Sequence, residues 1–287
     1  MQGTGVPVVT PFEEDGAVDE AALGKVVAWL EARGVDFLVP CGSTGEAPLL
    51  SSEEATRVVE VVADAAVGPV LAGTGRESYL ETRRATERAA SAGADAALVV
   101  TPTYYPIDDE TLEAYYLDLA DESSIPVYLY SVPKFTGVTI APETVAAVAD
   151  HPNVAGIKDS AGELAPFQRT RELVEDLDVL VGHGGVYSPA LDAGADGGIL
   201  AVGNVAPEIV SEIYERHSTG DDEGAREVNR RLLELNEAVT ARYGVAGAKA
   251  AMGLRGVPAG NVRRPLQGID DGAEKEIRAL LEELELV

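Results

Sequence analysis

The chain has 287 residues, 46 % of them hydrophobic, and a formal net charge of −27 at pH 7. The negative electrostatic field of such a protein repels phosphate backbones and anionic lipids. We therefore do not expect it to bind nucleic acids or membrane surfaces. No apolar run approaches the roughly 20 residues that a membrane helix needs, and the first residues lack the basic and apolar regions of a signal peptide. We therefore expect a soluble, cytoplasmic protein.

Short runs rich in strand-forming residues alternate with longer amphipathic helical patterns along most of the chain. Strands are predicted at residues 6–10, 37–41, 70–74, 96–101, 127–130, 154–158, 179–183 and 197–202. Helices are predicted at residues 19–33, 52–66, 78–92, 109–121, 141–150, 163–175, 185–193 and 206–218. Eight β/α units in sequence indicate an α/β fold, a closed TIM (β/α)8 barrel in preference to an open doubly wound sheet.

Only helical patterns follow residue 220, at residues 222–243, 246–254 and 271–285. We therefore expect two regions, a barrel over residues 1–220 and a C-terminal helical extension over residues 221–287. The extension is expected to pack on the outside of the barrel, and a contact between subunits is its alternative role.

The ends of the predicted strands carry polar side chains, and in a TIM barrel the chemistry lies at these ends. Ser43 and Thr44, bracketed by glycines, follow the second strand, where backbone N–H groups can converge on a carboxylate. Tyr130 ends the fifth strand, and a Gly-His-Gly-Gly turn at 182–185 follows the seventh. Each feature alone is common in loops or in packing. Together on one rim they predict a site for a carbonyl compound.

Lys158 ends the sixth predicted strand, and it is one of only five lysines in the chain. An amine at the mouth of a buried strand loses contact with water, which favours its neutral, nucleophilic form. Such an amine attacks a carbonyl carbon and forms a Schiff base. The alternative is a lysine that extends its ammonium from the strand end into solvent.

The histidine and cysteine content argues against metal and disulfide chemistry. The single cysteine, Cys41, excludes an internal disulfide, and its apolar strand predicts a buried, inert thiol. The three histidines have no carboxylate at metal-ligand spacing, so we expect no metal site.

The chain carries 49 Asp and Glu against 22 Lys and Arg, which predicts adaptation to molar salt. In molar salt the Debye length falls to about 3 Å, so the acidic side chains no longer repel one another strongly. An acidic protein from a low-salt cell is the alternative.

Three segments at their present separations resemble the dihydrodipicolinate synthase / N-acetylneuraminate lyase family of class I aldolases. They are Gly42-Ser43-Thr44-Gly45-Glu46, Tyr130 with Pro133 and Gly137, and Gly156-Ile157-Lys158. The resemblance covers nearly the whole chain. It implies a TIM barrel that assembles as a homotetramer and takes a small 2-keto acid as its substrate. It also implies that pyruvate forms an imine with Lys158, with no other cofactor.

The resemblance also assigns roles to individual residues. The implied catalytic residues are Lys158, Tyr130 and Ser43, with Tyr130 relaying protons. The expected substrate-binding residues are Thr44, Tyr104, Gly42 and Val202. Thr44 would help to hold the pyruvate carboxylate, and Tyr104 would reach the site of a neighbouring subunit.

Two departures from the family pattern bear on the substrate. Dihydrodipicolinate synthases usually carry an arginine where Phe135 stands, although Lys134 is adjacent. N-acetylneuraminate lyases carry an Asp-Glu pair where Gly184 and Gly185 stand. The remaining pattern resembles the aldolases that cleave 2-keto-3-deoxygluconate or its 6-phosphate to pyruvate and an aldehyde, as in an Entner–Doudoroff route.

Other functions stay open at this point. The first is 4-hydroxy-tetrahydrodipicolinate (dihydrodipicolinate) synthase, which condenses pyruvate with aspartate semialdehyde. Keto-acid dehydratases and other lyases are further members of the family. A non-enzymatic alternative is a keto-acid-binding regulatory barrel in which Lys158 serves only as an ion-pair partner.

Overall fold

Eight parallel strands form one sheet in the computed structural model, which describes residues 1–287. They are β1 (Gly3–Val6), β2 (Phe37–Leu38), β3 (Leu71–Gly73), β4 (Ala96–Val100), β5 (Val127–Ser131), β6 (Val154–Asp159), β7 (Asp178–Val181) and β8 (Gly197–Ile199). The order across the sheet is β2-β1-β8-β7-β6-β5-β4-β3. A parallel bridge between Leu38 and Val70 joins the two edges. The predicted TIM barrel is confirmed.

Twelve α-helices surround and extend the barrel. They are α1 (Glu20–Glu31), α2 (Ser52–Ala65), α3 (Tyr79–Ser91), α4 (Asp109–Glu122), α5 (Pro133–Thr136), α6 (Pro142–Val148), α7 (Leu164–Leu173), α8 (Tyr187–Asp192), α9 (Pro207–Ser218), α10 (Asp222–Glu237), α11 (Gly244–Leu254) and α12 (Asp271–Glu283). The predicted helices are present with small shifts at their ends, except that the helix predicted at 222–243 ends as an α-helix at Glu237 and continues as a π-helical turn over Ala238–Arg242. No helix combines the length and the apolar character that a membrane crossing requires.

The predicted position of the first strand, 6–10, is wrong, because β1 occupies Gly3–Val6. Glycine is a weak strand former, but two glycines are needed here. A Cβ on Gly5 would overlap the Phe37 ring inside the barrel, and a Cβ on Gly3 would overlap the Asp36 carboxyl group. Pro7 has no N–H with which to extend the ladder, so the regular strand ends before it.

The eighth strand and the start of the following segment also differ from prediction. β8 ends at Ile199, and a 3₁₀ turn over Ala201–Asn204 follows it.

The short helix α5 was not predicted, because four residues are too few for a periodic pattern. Pro133 begins this helix, and Gly137, with φ of +69°, ends it.

The C-terminal helices reach the mouth of the barrel as well as its side. α10 is fixed to the turn after β7, since Asn229 Nδ2 donates to the Gly184 carbonyl at 2.9 Å. A π-helical turn over Ala238–Arg242 then crosses towards the open ends of the strands. The extension was expected only on the outside of the barrel, and the division at residue 220 stays a prediction.

Candidate active site

Lys158 is the penultimate residue of β6, and its side chain is buried, with the residue only 5 % exposed. Tyr130, on the neighbouring strand β5, lies directly beside it in the register of the sheet. The Lys158 Nζ atom lies 4.3 Å from the centre of the Tyr130 ring. The two side chains that the sequence singled out for imine formation and proton relay are therefore in contact.

Gly182, the first residue after β7, leaves room for the Lys158 side chain. A Cβ at this position would lie 2.9 Å from Lys158 Cε and would overlap the Ser160 hydroxyl group. The sequence indicated only a tight turn at 182–185. Its role beside the lysine depends on the pairing of β6 with β7.

A cavity of about 170 Å³ opens above Lys158. Tyr130, Ser43 and Thr44 line it, as the sequence predicted for members of one site. Two hydrogen bonds hold the loop that carries the Ser43 and Thr44 hydroxyl groups. Glu46 N donates to Ser43 O at 3.1 Å, and Thr10 Oγ1 donates to Gly45 O at 2.7 Å. The hydroxyl groups are thus presented by a fixed turn.

Ser160 also lines this cavity, and sequence reasoning did not select it. Its hydroxyl oxygen is buried and has no hydrogen-bond partner in the chain. A buried hydroxyl without a partner costs free energy unless a ligand or water satisfies it. Its place two residues after Lys158 was the signal that could have identified it.

Asp159 follows the lysine and titrates unusually. Burial raises the pKa of its carboxyl group, the charge of Glu163 adds to this, and a hydrogen bond from the Ala161 N–H group at 2.8 Å opposes it. The side chain caps the turn after β6 and is not among the residues that line the cavity.

The other three predicted substrate contacts lie elsewhere. Tyr104 is 79 % exposed and packs edge-on against Tyr105, with ring centres 5.1 Å apart. Gly42 lines a neighbouring cavity of about 420 Å³ together with Arg76. Val202 is fully buried in the 3₁₀ turn after β8, and the residues of this segment that line the Lys158 cavity are Ile199 and Ala201.

The neighbouring cavity contains a partly buried cation, Arg76, that forms no salt bridge with a carboxylate. Arg76 Nη1 donates to the Gly75 carbonyl at 2.7 Å, and burial lowers the pKa of its guanidinium group. Ser43 and Tyr130 line both cavities. The two spaces therefore share one wall at the centre of the barrel mouth.

One group of side chains outside the site has the ligand types of a metal centre. Atoms of Asp192, His217 and Asp222 lie within 4.8 Å of one another. None of these residues lines the Lys158 cavity. Arg226 Nη1 forms an ion pair with Asp192 at 2.9 Å, so the cluster serves as a salt-bridged contact of α8, α9 and α10.

Sequence reasoning also missed the contribution of the C-terminal extension to the site. Asn236, Glu237 and Thr240 line the Lys158 cavity from the end of α10 and the π-helical turn. No local pattern marks them, because their role comes from the position of α10 over the strand ends.

A buried amine beside a phenol and a set of hydroxyl groups, at the strand ends of a TIM barrel, defines the class of Schiff-base lyases. Comparison with known proteins agrees with this class. The model of the dihydrodipicolinate synthetase family matches residues 1–284. The chain belongs to this family, whose members are pyruvate-dependent class I aldolases that act through a Schiff base without a metal cofactor.

Individual relatives match over the full length. An uncharacterised DapA-like lyase of Halobacterium salinarum is 38 % identical, with 100 % of this chain and 95 % of the relative covered. The 4-hydroxy-tetrahydrodipicolinate synthase of Methanothrix thermoacetophila is 38 % identical, with 98 % of this chain and 96 % of the relative covered.

Solved structures show the same fold. Dihydrodipicolinate synthase from Thermotoga maritima has a TM-score of 0.96 at 31 % identity, covering 100 % of this chain and 99 % of that one. A prophage protein of the family from E. coli K12, solved with pyruvate, has a TM-score of 0.95 at 30 % identity, with the same coverage. As a member of this family, the chain is an enzyme, a lyase of the aldolase type.

Proposed function

We propose that this enzyme cleaves a 2-keto-3-deoxy sugar acid, 2-keto-3-deoxygluconate or its 6-phosphate, to pyruvate and glyceraldehyde or its 3-phosphate. The observation that carries the proposal is the lining of the Lys158 cavity. Beyond Lys158 and Tyr130 it presents neutral hydrogen-bonding groups from Ser160, Asn236 and Thr240, beside the charged side chains of Lys134 and Glu237. Hydroxyl and amide groups both donate and accept hydrogen bonds, which matches the hydroxyl groups of a sugar acid.

The reaction begins at Lys158. Its amine adds to the C2 carbonyl, and water leaves to give a protonated imine. Tyr130 takes the proton from the C4 hydroxyl group while the electrons of the C3–C4 bond move towards the imine nitrogen, so the aldehyde departs and an enamine remains. Protonation at C3 and hydrolysis of the imine then release pyruvate and restore the amine.

Ser43 and Thr44 act at the keto-acid end in this proposal. Thr44 holds the carboxylate of the pyruvate unit, and Ser43 passes protons to and from Tyr130.

The wall that would meet the second substrate of a dihydrodipicolinate synthase carries Phe135, which is 65 % exposed and lines the cavity. A phenyl ring offers no hydrogen bond to the carboxylate of aspartate semialdehyde, whereas a guanidinium group binds a carboxylate in bidentate fashion. This contrast favours a neutral hydroxylated tail.

The synthase reaction is the second candidate, and one observation favours it. Lys134 also lines the cavity, with its Nζ atom 3.5 Å from the Thr240 carbonyl. This ammonium group has no carboxylate partner in the chain and can bind the carboxylate of a substrate. Several relatives carry the name 4-hydroxy-tetrahydrodipicolinate synthase.

A homotetramer is part of the proposal. Tyr104 and Tyr105 project from the surface as adjacent exposed rings, outside the cavity of their own chain. Exposed paired tyrosines suit a subunit interface. In the tetramer Tyr104 would reach the site of the neighbouring subunit.

The test is pyruvate release from 2-keto-3-deoxygluconate and from its 6-phosphate, in molar KCl, by the native protein and by Lys158→Ala. We expect release from at least one substrate, its loss in the variant, and a borohydride-stable pyruvate adduct only in the native protein. Lys134→Ala is the matched control, because it removes the other lysine of the cavity and should leave adduct formation unchanged.

The same proteins distinguish the second candidate. Adduct formation without cleavage of either sugar acid, together with condensation of pyruvate and aspartate semialdehyde that Lys134→Ala weakens, would replace the proposed function with the synthase reaction.

A further inference from the structure

Asn236, in the last turn of α10, is a buried amide that the fold leaves without partners. The residue is only 5 % exposed and lines the Lys158 cavity. Its backbone carbonyl accepts a hydrogen bond from Thr240 Oγ1 at 2.6 Å, but its side chain makes none within the chain. The amide atoms are not fully enclosed, unlike the hydroxyl oxygen of Ser160, and they face the cavity, so a molecule bound there can supply their hydrogen bonds.

Asn229 provides an internal comparison, because it lies two helical turns earlier on the same face of α10. Its Oδ1 atom accepts from Ser188 N at 2.9 Å, and its Nδ2 atom donates to the Gly184 carbonyl at 2.9 Å. Asn229 therefore has a structural role. Asn236 has the same side chain and similar burial but no such role.

The glycine turn after β7 holds Asn236 in place over the cavity. A Cβ on Gly184 would lie 2.5 Å from Asn236 Oδ1 and 3.2 Å from its Cγ, so only glycine permits the amide to occupy this position. At the other end of the turn, a Cβ on Gly182 would lie 2.9 Å from Lys158 Cε. The turn therefore packs against the Lys158 side chain at one end and against the Asn236 amide at the other.

We infer that Asn236 is a specificity-determining residue, which binds hydroxyl groups on the part of the substrate that leaves as the aldehyde. This inference rests on the proposed aldolase function and extends it. Lys158 fixes the keto-acid end by a covalent bond, so the rest of the substrate extends along the glycine turn towards α10. A carboxamide both donates and accepts, which suits a hydroxyl group better than an anion that only accepts.

The test uses the condensation direction, in which the aldehyde can be varied while pyruvate stays the same. Glyceraldehyde and propionaldehyde have the same three-carbon chain, but only glyceraldehyde carries hydroxyl groups beyond the carbonyl. Asn236→Leu retains the approximate shape of the side chain and removes both hydrogen-bonding functions. We expect kcat/KM for glyceraldehyde to fall roughly 10- to 100-fold and that for propionaldehyde to change less than about 2-fold.

Two further measurements separate specificity from structure. The yield of borohydride-trapped pyruvate adduct should match that of the native protein in Asn236→Leu. Asn236→Leu should retain the thermal stability of the native protein, whereas Asn229→Leu, which removes the hydrogen bonds that anchor α10, should lower it.

An equal loss for both aldehydes in Asn236→Leu, or an unchanged kcat/KM for glyceraldehyde, would overturn the role of Asn236 while leaving the proposed aldolase function in place. A native protein that forms the pyruvate adduct but condenses it with neither aldehyde would overturn the proposed function, and this assignment with it.

Discussion

Lys249 Nζ lies 2.6 Å from Glu46 Oε1 in an ion pair whose side chains are 3 % and 1 % exposed. The two residues are 203 positions apart in the chain. The pair joins α11 to the loop that carries Ser43 and Thr44, and Glu46 adopts a left-handed conformation with φ of +57°. Burial lowers the pKa of Lys249, and the charge of Glu46 opposes this shift.

Removing the cation of this ion pair should destabilise the protein. Lys249→Met leaves the Glu46 carboxylate buried without its cation, so we expect the free energy of unfolding to fall by about 3–5 kcal/mol. Urea denaturation in molar KCl measures it. The double variant Glu46→Gln/Lys249→Met should recover part of the loss, because Gln still accepts the hydrogen bond that Glu46 Oε2 receives from Arg263 N at 2.8 Å. A loss below about 1 kcal/mol in the single variant would contradict the structural role of the pair.

Tyr130→Phe tests the proton relay. The ring and its contact with Lys158 remain, so the pyruvate adduct should still form, while kcat for cleavage should fall by about 10²- to 10⁴-fold. Steady-state kinetics and borohydride trapping give the two readouts.

Tyr128→Phe is the matched control for the relay, because Tyr128 lies two residues earlier on the same strand and bonds Asp178 away from the cavity. It should lower stability and leave kcat unchanged. Similar kcat losses in the two variants would argue against a specific relay at Tyr130.

Gly182→Ala tests the space beside the lysine. The added methyl group would crowd Ser160 and Lys158 Cε, so we expect kcat/KM to fall at least about 10-fold, since small displacements of reacting groups are costly. Gly24→Ala is the control. Gly24 lies within α1 with open space at its Cβ position, and alanine there should raise stability by about 0.5–1 kcal/mol without affecting activity. Full activity in Gly182→Ala would show that the site tolerates the methyl group.

Asp159→Asn has a pH-dependent effect on stability. The folded pKa of Asp159 is raised, so ionisation costs more in the folded chain than in the unfolded chain. The contribution of the Asp159 carboxyl group to the free energy of unfolding is therefore fully present below its unfolded pKa of about 3.9. This contribution is lost as pH rises through the raised pKa of the folded state. We expect the variant to be more stable than the native protein at pH 7 and the difference to shrink towards pH 4.

Asparagine retains an oxygen that can accept from Ala161 N, so the turn after β6 should persist in this variant. Urea denaturation at pH 4, 5.5 and 7 measures the effect. A difference that grows on acidification would have the wrong sign.

Salt should stabilise the protein. Exposed ion pairs such as that of Arg57 with Glu20, at 2.7 Å, each contribute about 1 kcal/mol or less and weaken with salt. The acidic side chains behind the net charge of −27 repel one another over the whole surface, and salt screens this repulsion as well. We expect the second effect to dominate, so that activity and melting temperature rise with KCl into the molar range. Equal stability at 0.1 M and 2 M KCl would contradict adaptation to high salt.

The sequence by itself determined the architecture and the centre of the site. Alternation of strand and helix patterns is a local property, and a lysine or tyrosine at the end of a parallel strand must lie on one rim with the other strand ends. Lys158, Tyr130, Ser43 and Thr44 were therefore predictable, and the structure places all four around one cavity.

Only the tertiary structure decided which residues of α10 line the cavity and where the first strand of the barrel lies. Asn236 comes to the cavity because Asn229 binds α10 to the turn after β7, and no pattern near residue 236 encodes that docking. The position of β1 likewise depends on the Phe37 ring that fills the space over Gly5. Local periodicity reports which face of a segment is buried, whereas these features depend on which distant segment buries it.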